Sequence, residues 1–225
     1  KDFANFAEGH FSERGAILVL GNLMTLLGTP EMLIKGMQSV VEHLHTNGVT
    51  VIGNPGAMYN PNIQKLKNMV FGSPQIPIES FFVPSGLYLI ENHDLEDVIE
   101  EAQSQTEWGE GNLSYLSKQI KLFSDGAMYS QNMMMREGYL DGHQGAWLIH
   151  EDIYKQLFKT FWDDGYQIHV HQNGDAGLDR VLDVLEENLI ANPREDHRTY
   201  QYREETNHSW SHLVETKSDR GIDHM

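Results

Sequence analysis

The stretch Gln-Ile-Lys-Leu-Phe-Ser-Asp-Gly at residues 119–126 decides the fold of this chain. Its first five residues are typical of a short strand buried within a sheet, and Ser-Asp-Gly then ends the strand in a turn. Lys121 lies in the middle of this strand, between two large apolar residues. Since lysine is rarely fully buried without a partner, this position predicts a special role for Lys121.

Two chemistries suit a buried Lys121, and one structural alternative competes with them. Removal from water favours the neutral, nucleophilic form of the amine. Such an amine forms a Schiff base with a carbonyl compound, or a carbamate with carbon dioxide. A carbamate is a carboxylate on a long arm, and it can bridge two metal ions. If the strand lies at the edge of its sheet, however, Lys121 simply points to solvent.

A second informative stretch, Tyr-Gln-Ile-His-Val-His-Gln-Asn-Gly-Asp, occupies residues 166–175. His169 and His171 are two residues apart on the predicted strand, so both imidazoles face the same side of the sheet. They lie near its carboxyl end, and neutral imidazole is the commonest metal ligand in proteins. The following Asn-Gly-Asp adds a tight turn and the Asp175 carboxylate. The alternative interpretation is a pair of packed strand histidines.

Strand and helix patterns alternate along the rest of the chain. A helix is predicted to begin at Pro30, after Thr29 as its N-cap, and to end before Asn47. The further predicted strands are 49–52, which a loop at residues 53–56 ends, and 80–83. The further predicted helices are 93–105, 150–163 and 176–191. This alternation predicts a parallel sheet with helical cover. A complete (β/α)₈ barrel has eight strands, so we expect an α/β fold that is a partial TIM-like barrel, with about four of eight βα units.

The C-terminal stretch differs in character. Residues 199–225 show no apolar periodicity, so they are predicted to form a disordered or non-native tail, and residues 1–198 the barrel domain. Position 1 is Lys and not Met. We therefore expect the sequence to begin within a longer protein.

Composition narrows the possible partners and ligands. The formal net charge is −17, from 33 acidic and 16 basic residues, which argues against binding to nucleic acid. The chain contains no Cys, which excludes disulfides and thiolate zinc sites, so a metal must be held by nitrogen and oxygen ligands. No apolar run reaches the roughly 20 residues of a membrane-spanning helix. We expect no membrane partner and favour a cytoplasmic location.

Two motifs together resemble a known family. Residues 120–127 resemble the K-L-F-x-D-G segment of the amidohydrolase 3 family, in its YtcJ-like branch. Residues 169–175 resemble the H-x-x-G-D strand end of the same family, and they follow in the same order. Gly9-His10-Phe11 and Gly48-Val49-Thr50 resemble segments further upstream. The resemblance extends from about Gly9 to His197.

The resemblance implies a function and a set of site residues. Family members are metal-dependent hydrolases on a TIM-like barrel, which cleave amide or cyclic amide C–N bonds with a metal-activated water. Lys121 would be the fourth-strand lysine, often carboxylated and metal-bridging, and His171 the fifth-strand metal ligand. His169 would be a metal ligand, or it would support the ligands without contacting the ion. Asp125 and Asp175 match the motif acids, as groups that order loops or face the substrate. The resemblance also implies one or two divalent ions, with Zn²⁺ expected, and a small amide-type substrate.

The chain also departs from the family pattern. The first-strand His-x-His pair, the sixth-strand His and the eighth-strand Asp of the family are not recognisable in it. This predicts an incomplete catalytic core. Two alternatives stay open, which are a catalytically inactive fragment or binding module, and a Schiff-base lyase that uses Lys121. A partial barrel would also leave sheet edges open, which predicts self-association.

Overall fold

Strands and helices alternate in the computed structural model, which describes residues 4–57 and 60–194. The chain is a mixed α/β protein. Its elements, in chain order, are β1 (Ala4–Asn5), β2 (His10–Phe11), α1 (Arg14–Leu27), α2 (Pro30–Thr46), β3 (Val51–Ala57), α3 (Pro61–Phe71), β4 (Glu79–Pro84), α4 (Gly86–Asn92), α5 (Val98–Ser104), β5 (Leu113–Tyr115), β6 (Gln119–Phe123), α6 (Glu151–Asp163), β7 (Gln167–His171) and α7 (Asp175–Ala191).

The longer strands run parallel and lie side by side. β4 pairs with β3 on one side and with the short β5 on the other, and β6 pairs with β7. A parallel bridge between Ser85 and Lys121 joins the end of β4 to β6. The order across the described strands is therefore β3, β4, β6, β7. The prediction of a parallel sheet is confirmed.

Each of these strands leads into a helix. β3 is followed by α3, β4 by α4, β6 by α6 after a long loop, and β7 by α7. Because the strands are parallel, their carboxyl ends meet at one edge of the sheet. That edge is where α/β proteins of this kind place their functional side chains.

The core lies between the strands and the helices, in two clusters. The larger includes Ile120 and Leu122 of β6 and Ile168 and Val170 of β7, packed with α6 and α7. The smaller lies between α2, α3 and the strands β3 to β5. Since alternate residues of a strand point to opposite faces, the odd-numbered residues of β6 and β7 face away from α6 and α7.

The helix at Pro30 is confirmed, and Thr29 Oγ1 accepts a hydrogen bond from the Met32 amide at 3.3 Å. The strand predicted at 49–52 is instead β3, Val51–Ala57, so the loop predicted at residues 53–56 is wrong. Gly53 and Asn54 pair in register with β4, and the register shifts between Pro55 and Ala57. A proline is tolerated there because β3 lies at the edge of its sheet.

The helix predicted at 93–105 is also wrong at its start. His93 is extended and ends α4, and a turn follows in which the Asp97 amide donates to the Asp94 carbonyl at 3.0 Å. Helix α5 begins only at Val98. Helices α1, α3 and α4 and strand β5 are additional to the predicted elements. The tail predicted at 199–225 lies outside the described residues. Among the described helices, none has both the length and the apolarity to cross a membrane.

Candidate active site at the strand ends

Lys121 is buried, with 4% of its surface exposed. Its strand lies between β4, through the Ser85 bridge, and β7, so the interpretation of Lys121 as a solvent-facing edge residue is wrong. Its Nζ lies 5.4 Å from the centroid of the Phe123 ring. The end of β3 covers the side chain, since a Cβ on Gly56 would lie 3.4 Å from Lys121 Cγ.

His169 and His171 lie on the strand next to Lys121. In the parallel register Lys121 is opposite His169, and Phe123 is opposite His171. All four side chains therefore share one face of the sheet. The rings of Phe123 and His171 are 5.6 Å apart between centroids. The structure thus brings Lys121 together with both histidines, which share one face as their spacing predicts, and their metal-binding roles stay predictions.

The two histidines have different polar neighbours. His169 Nε2 lies 2.8 Å from Gln119 Oε1, at the first position of β6. His171 Nε2 lies 2.8 Å from Asn173 Nδ2, just beyond the end of β7. His171 is therefore the histidine that contacts the loop at the carboxyl edge, while His169 contacts the start of the neighbouring strand.

Asp125 is fully buried and accepts three hydrogen bonds from backbone amides. Its Oδ1 accepts from Asn173 at 2.9 Å, and its Oδ2 accepts from Met134 at 2.9 Å and from Gly174 at 2.8 Å. Such bonds to an ionised carboxylate are about twice as strong as neutral ones. Asp125 therefore links the end of β6, the loop before α6 and the end of β7.

Asp175 also contacts this loop and not Lys121 or the histidines. Its Oδ1 accepts from the backbone amides of Arg136 and Ala176, each at 2.9 Å. The Arg136 guanidinium forms a bidentate pair with Asp179, with both bonds at 2.6 Å. Asp125 and Asp175 thus both accept hydrogen bonds from the loop before α6, and their roles in ordering loops or facing the substrate stay predictions. Sequence reasoning missed Arg136, because nothing local marks its partners about 40 residues away.

Backbone amides at the amino terminus of α7 donate hydrogen bonds to other parts of the protein. The Met134 carbonyl accepts from the amides of Ala176 at 3.1 Å and Gly177 at 3.3 Å. Free amides and the helix dipole make many helix amino termini into anion sites. Here the Met134 carbonyl and the Asp125 carboxylate occupy those donors, so the turn after β7 has a structural role.

The Arg180 side chain of α7 is buried in the same region. It is 9% exposed and donates to the carbonyls of Ser124 at 3.1 Å and Ile149 at 2.9 Å. Its guanidinium lies 4.1 Å from the ring centroid of Tyr154 and 4.7 Å from that of Trp147. Burial lowers the pKa of Arg180. Arg180 was also missed, since an arginine on an amphipathic helix has no sequence signal for burial.

The residues present can supply part of a metal site. Among residues 4–57 and 60–194, no three His, Asp or Glu side chains are clustered in a way that could hold a metal ion. His171 and His169 offer imidazole nitrogens, whereas Lys121 becomes an oxygen ligand only as a carbamate. Imidazole and carboxylate-type oxygens are the donors that Zn²⁺ accepts when no cysteine is present. These donors are therefore of the type that Zn²⁺ accepts, but they are fewer than a complete site needs.

The loop before α6 carries a partly exposed histidine with two acceptors. His143 Nδ1 lies 2.5 Å from Asp141 Oδ1, and its Nε2 lies 3.1 Å from the Gln131 carbonyl. The Tyr139 ring stacks on the imidazole, with centroids 4.2 Å apart. The Gln131 carbonyl, and next the Asp141 carboxylate, raise the pKa of His143. The hydrogen bond from His143 lowers the pKa of Asp141.

These shifts predict that the loop is held most firmly in mildly acidic solution. The contribution of His143 is complete below its unfolded pKa of about 6.5 and is lost as pH rises through the raised folded value. The contribution of Asp141 is complete above about pH 3.9 and is lost as pH falls through its lowered value. We expect the Tyr139 ring resonances in NMR spectra to shift as the pH rises from about 6.5 through the raised pKa of His143. His143→Gln should abolish this shift, and an unchanged Tyr139 spectrum in the parent chain would contradict the prediction.

The fold is an α/β fold in which each parallel strand leads into a helix. Its candidate site is formed by polar side chains at the carboxyl ends of the strands. The sequence model of the amidohydrolase family matches residues 3–210, and the chain belongs to this family. The family resemblance is thereby confirmed, and the YtcJ-like branch stays a prediction.

Two solved structures have a similar fold. One is an uncharacterized metal-dependent hydrolase from Pyrococcus horikoshii OT3, which is 16% identical with a TM-score of 0.56 over 83% of this chain and 37% of that chain. The other is an uncharacterized metal-dependent hydrolase from Pyrococcus furiosus, which is 20% identical with a TM-score of 0.57 over 84% of this chain and 38% of that chain. This chain therefore spans well under half the length of either. No curated protein sequence matches it.

Proposed function

We propose that the protein is a metal-dependent hydrolase, or the core of one, that cleaves the C–N bond of an amide or cyclic amide with a metal-activated water. The observation that carries this proposal is the burial of Lys121 on the strand face that it shares with His169 and His171. Membership of the amidohydrolase family supports it independently. This function implies a small amide-type substrate.

The proposed scaffold is a partial TIM-like barrel of the amidohydrolase type. Its support is the strand order β3, β4, β6, β7, in which neighbours are parallel and each strand leads into a helix. Within the described residues these strands do not close into a ring. A complete barrel has eight strands, so the four strands would correspond to about four of eight units.

Lys121 would enter the site by carbamate formation. Its neutral amine would attack carbon dioxide, so that an N–C bond forms and one C=O π bond opens to place a negative charge on the two oxygens. The proton lost from the nitrogen would pass to water. The Phe123 ring and the backbone at Gly56 pack against the Lys121 side chain and limit the access of water to it. Removal from water favours the neutral amine that this reaction needs.

The other residues have distinct proposed roles. His171 and the Lys121 carbamate would hold a divalent ion, for which we propose Zn²⁺, and His169 would be a further ligand or support from behind. When bound, such an ion lowers the pKa of water toward about 7 and polarises the scissile carbonyl. Asp125 and Asp175 would keep the loop before α6 in place over the carboxyl edge. Their oxygens already accept backbone amides, so we assign neither as the proton acceptor.

Metal titration tests this proposal. We expect Zn²⁺ to bind the parent chain, and His171→Ala to weaken the affinity at least about tenfold, or about 1.4 kcal/mol, because one of few ligands is removed. Lys121→Met should weaken it similarly and abolish any gain from added bicarbonate. His150→Ala is the matched control, because this imidazole is exposed at the start of α6. Identical isotherms for the parent and His171→Ala chains would refute the proposed metal site.

Carbon-13 NMR distinguishes the hydrolase from its rivals. After addition of ¹³C-bicarbonate, we expect a carbamate signal that is lost in Lys121→Met. Reductive trapping of a carbonyl compound on Lys121 with borohydride would instead favour the Schiff-base lyase. A folded chain that shows neither reaction and binds no metal would favour the inactive binding module.

Self-association is a further expectation. Within the described residues, no strand pairs with the outer edges of β3 and β7. Several large apolar side chains of α1 are exposed, among them Ile17, Leu18 and Leu20. Since the chain carries a net charge of −17, repulsion opposes association, and added salt should screen it. We expect sedimentation to show association that increases with salt and decreases in Ile17→Glu. A monomer at all salt concentrations would contradict this.

A further inference from the structure

Two Asn–Gly pairs occur in the chain, at residues 47–48 and 173–174. In such a pair the glycine nitrogen can attack the side-chain carbonyl carbon of the asparagine, because glycine has no Cβ to obstruct the approach. The cyclic imide that forms requires both residues to leave their folded geometry. The surroundings of each pair therefore decide whether it reacts, and these surroundings differ.

The first pair lies at the exposed end of α2. Asn47 and Gly48 are both exposed, and Gly48 has a φ of 78°. The Gly48 amide donates to the His45 carbonyl at 2.9 Å. The Val49 amide donates to the Leu44 carbonyl at 3.0 Å, which completes a common closing arrangement of helices. A Cβ on Gly48 would meet nothing within 4 Å, so the backbone has room to rotate. Because helix ends open at little cost in free energy, this pair can reach the reactive geometry.

The second pair is held in place on all of its reacting groups. Asn173 Nδ2 donates to the Gly126 carbonyl at 3.0 Å, and the Gly174 amide donates to the buried Asp125 carboxylate at 2.8 Å. A Cβ on Gly174 would lie 1.9 Å from the Met134 carbonyl oxygen, so the backbone is closely packed. The Gly174 nitrogen therefore cannot turn toward the Asn173 side chain unless these contacts break.

We propose that Asn47 is a site of spontaneous deamidation, and that the fold protects the identical pair at Asn173 from the same reaction. The Gly48 nitrogen attacks Asn47 Cγ, so that an N–Cγ bond forms and the Cγ–Nδ2 bond breaks. Ammonia leaves with the proton that the Gly48 nitrogen gives up. Water then opens the ring at Cγ, which gives aspartate, or at the backbone carbonyl carbon, which gives isoaspartate. Water is the co-reactant, and the reaction is independent of the proposed function.

Reaction at Asn47 changes the end of α2. Asn47 Nδ2 donates to the His43 carbonyl at 2.7 Å, and both products lack this donor. Their new carboxylate adds a negative charge beside the last carbonyl groups of the helix, where the helix dipole disfavours it. Strand β3 begins at Val51, shortly after this turn, so the change lies next to the start of an edge strand.

Asn92 is a matched control within the same chain. It is exposed at the end of α4, and its Nδ2 donates to the Tyr88 carbonyl at 2.7 Å, which is the same contact that Asn47 makes at the end of α2. The next residue is His93, whose side chain obstructs the attack. Asn92 therefore separates the effect of exposure from the effect of a following glycine.

Mass spectrometry of the aged chain tests this proposal. The parent chain is incubated in mildly alkaline buffer, both folded and in concentrated urea, and peptide fragmentation locates each conversion of amide to acid. In the folded chain we expect Asn47 to react at least about tenfold faster than Asn173, which corresponds to about 1.4 kcal/mol of protection. In urea the two should react at similar rates, because the contacts that hold Asn173 are lost. Asn92 should react slowest under both conditions.

Two outcomes would overturn the proposal. If Asn173 reacts as fast as Asn47 in the folded chain, the fold gives no protection. If Asn47 reacts in urea but stays intact in the folded chain, the end of α2 is itself protected. Asn47→Asp carries one of the products, and we expect the Val49 amide to exchange its hydrogen faster in it than in Asn92→Asp. Equal Val49 exchange in the two variants would overturn the effect on α2.

Discussion

Asp125→Ala should lower the free energy of unfolding by about 3 to 5 kcal/mol, because it leaves three buried backbone amides without an acceptor. These are the amides of Met134, Asn173 and Gly174, each within 2.9 Å of a carboxylate oxygen. A buried amide that loses its partner costs about 1 to 3 kcal/mol, and water that enters the space left by the carboxylate offsets part of the sum.

Asp125→Asn should be only slightly less harmful. Its amide keeps one oxygen, but an NH₂ group then faces at least one backbone N–H, so two donors meet. The midpoint and slope of urea unfolding measure both changes. Asp183→Ala is the matched control, because Asp183 is an exposed aspartate of α7 and its loss should stay within about 0.5 kcal/mol. Equal unfolding midpoints for Asp125→Ala and the parent chain would show that the carboxylate does not hold the loop.

Gly174→Ala should destabilise the chain by about 3 kcal/mol or more, for a steric reason. Gly174 has a φ of −84°, which any residue adopts, so the backbone conformation is not the obstacle. A Cβ there would lie 1.9 Å from the Met134 carbonyl oxygen and 2.4 Å from its carbon, both rigid backbone atoms. The loop must move away, which breaks its hydrogen bonds with Ala176 and Gly177.

Gly36→Ala provides a control of opposite sign. Gly36 lies within α2, and a Cβ on it would meet nothing within 4 Å. Alanine in a helix interior is favoured over glycine by about 0.5 to 1 kcal/mol, so this variant should be slightly more stable than the parent chain. If thermal unfolding shows that both variants lie within experimental error of the parent, the tight contact between the loop and α7 is not present in solution.

The correct sequence-based predictions depended on local sequence patterns. Pro30 after a threonine cap marked the start of α2, and the apolar residues around Lys121 marked β6. The two-residue spacing of His169 and His171 placed both on one face of their strand, because the period of a strand is fixed by backbone geometry. These features depend on residues close together in the chain, so the sequence contains enough information to predict them.

The errors concern features that depend on distant partners. Residues 53–56 have the composition of a loop and form a strand only because β4 supplies a partner edge. The roles of Arg136, Asn173 and Arg180 depend on contacts with segments about 30 to 56 residues away. A single sequence gives no signal for such pairs, whereas the motif acid Asp125 was found through family resemblance.

The most direct test of the account is the location of bound metal. We expect crystals of the chain grown with Zn²⁺ and bicarbonate to show an anomalous scattering peak at the zinc edge beside the ends of β6 and β7. The His171 imidazole and an oxygen on a carboxylated Lys121 should coordinate this ion. An unmodified Lys121 with no peak at these strand ends, or zinc bound only at surface histidines such as His150, would contradict the claim that this strand face is a metal site.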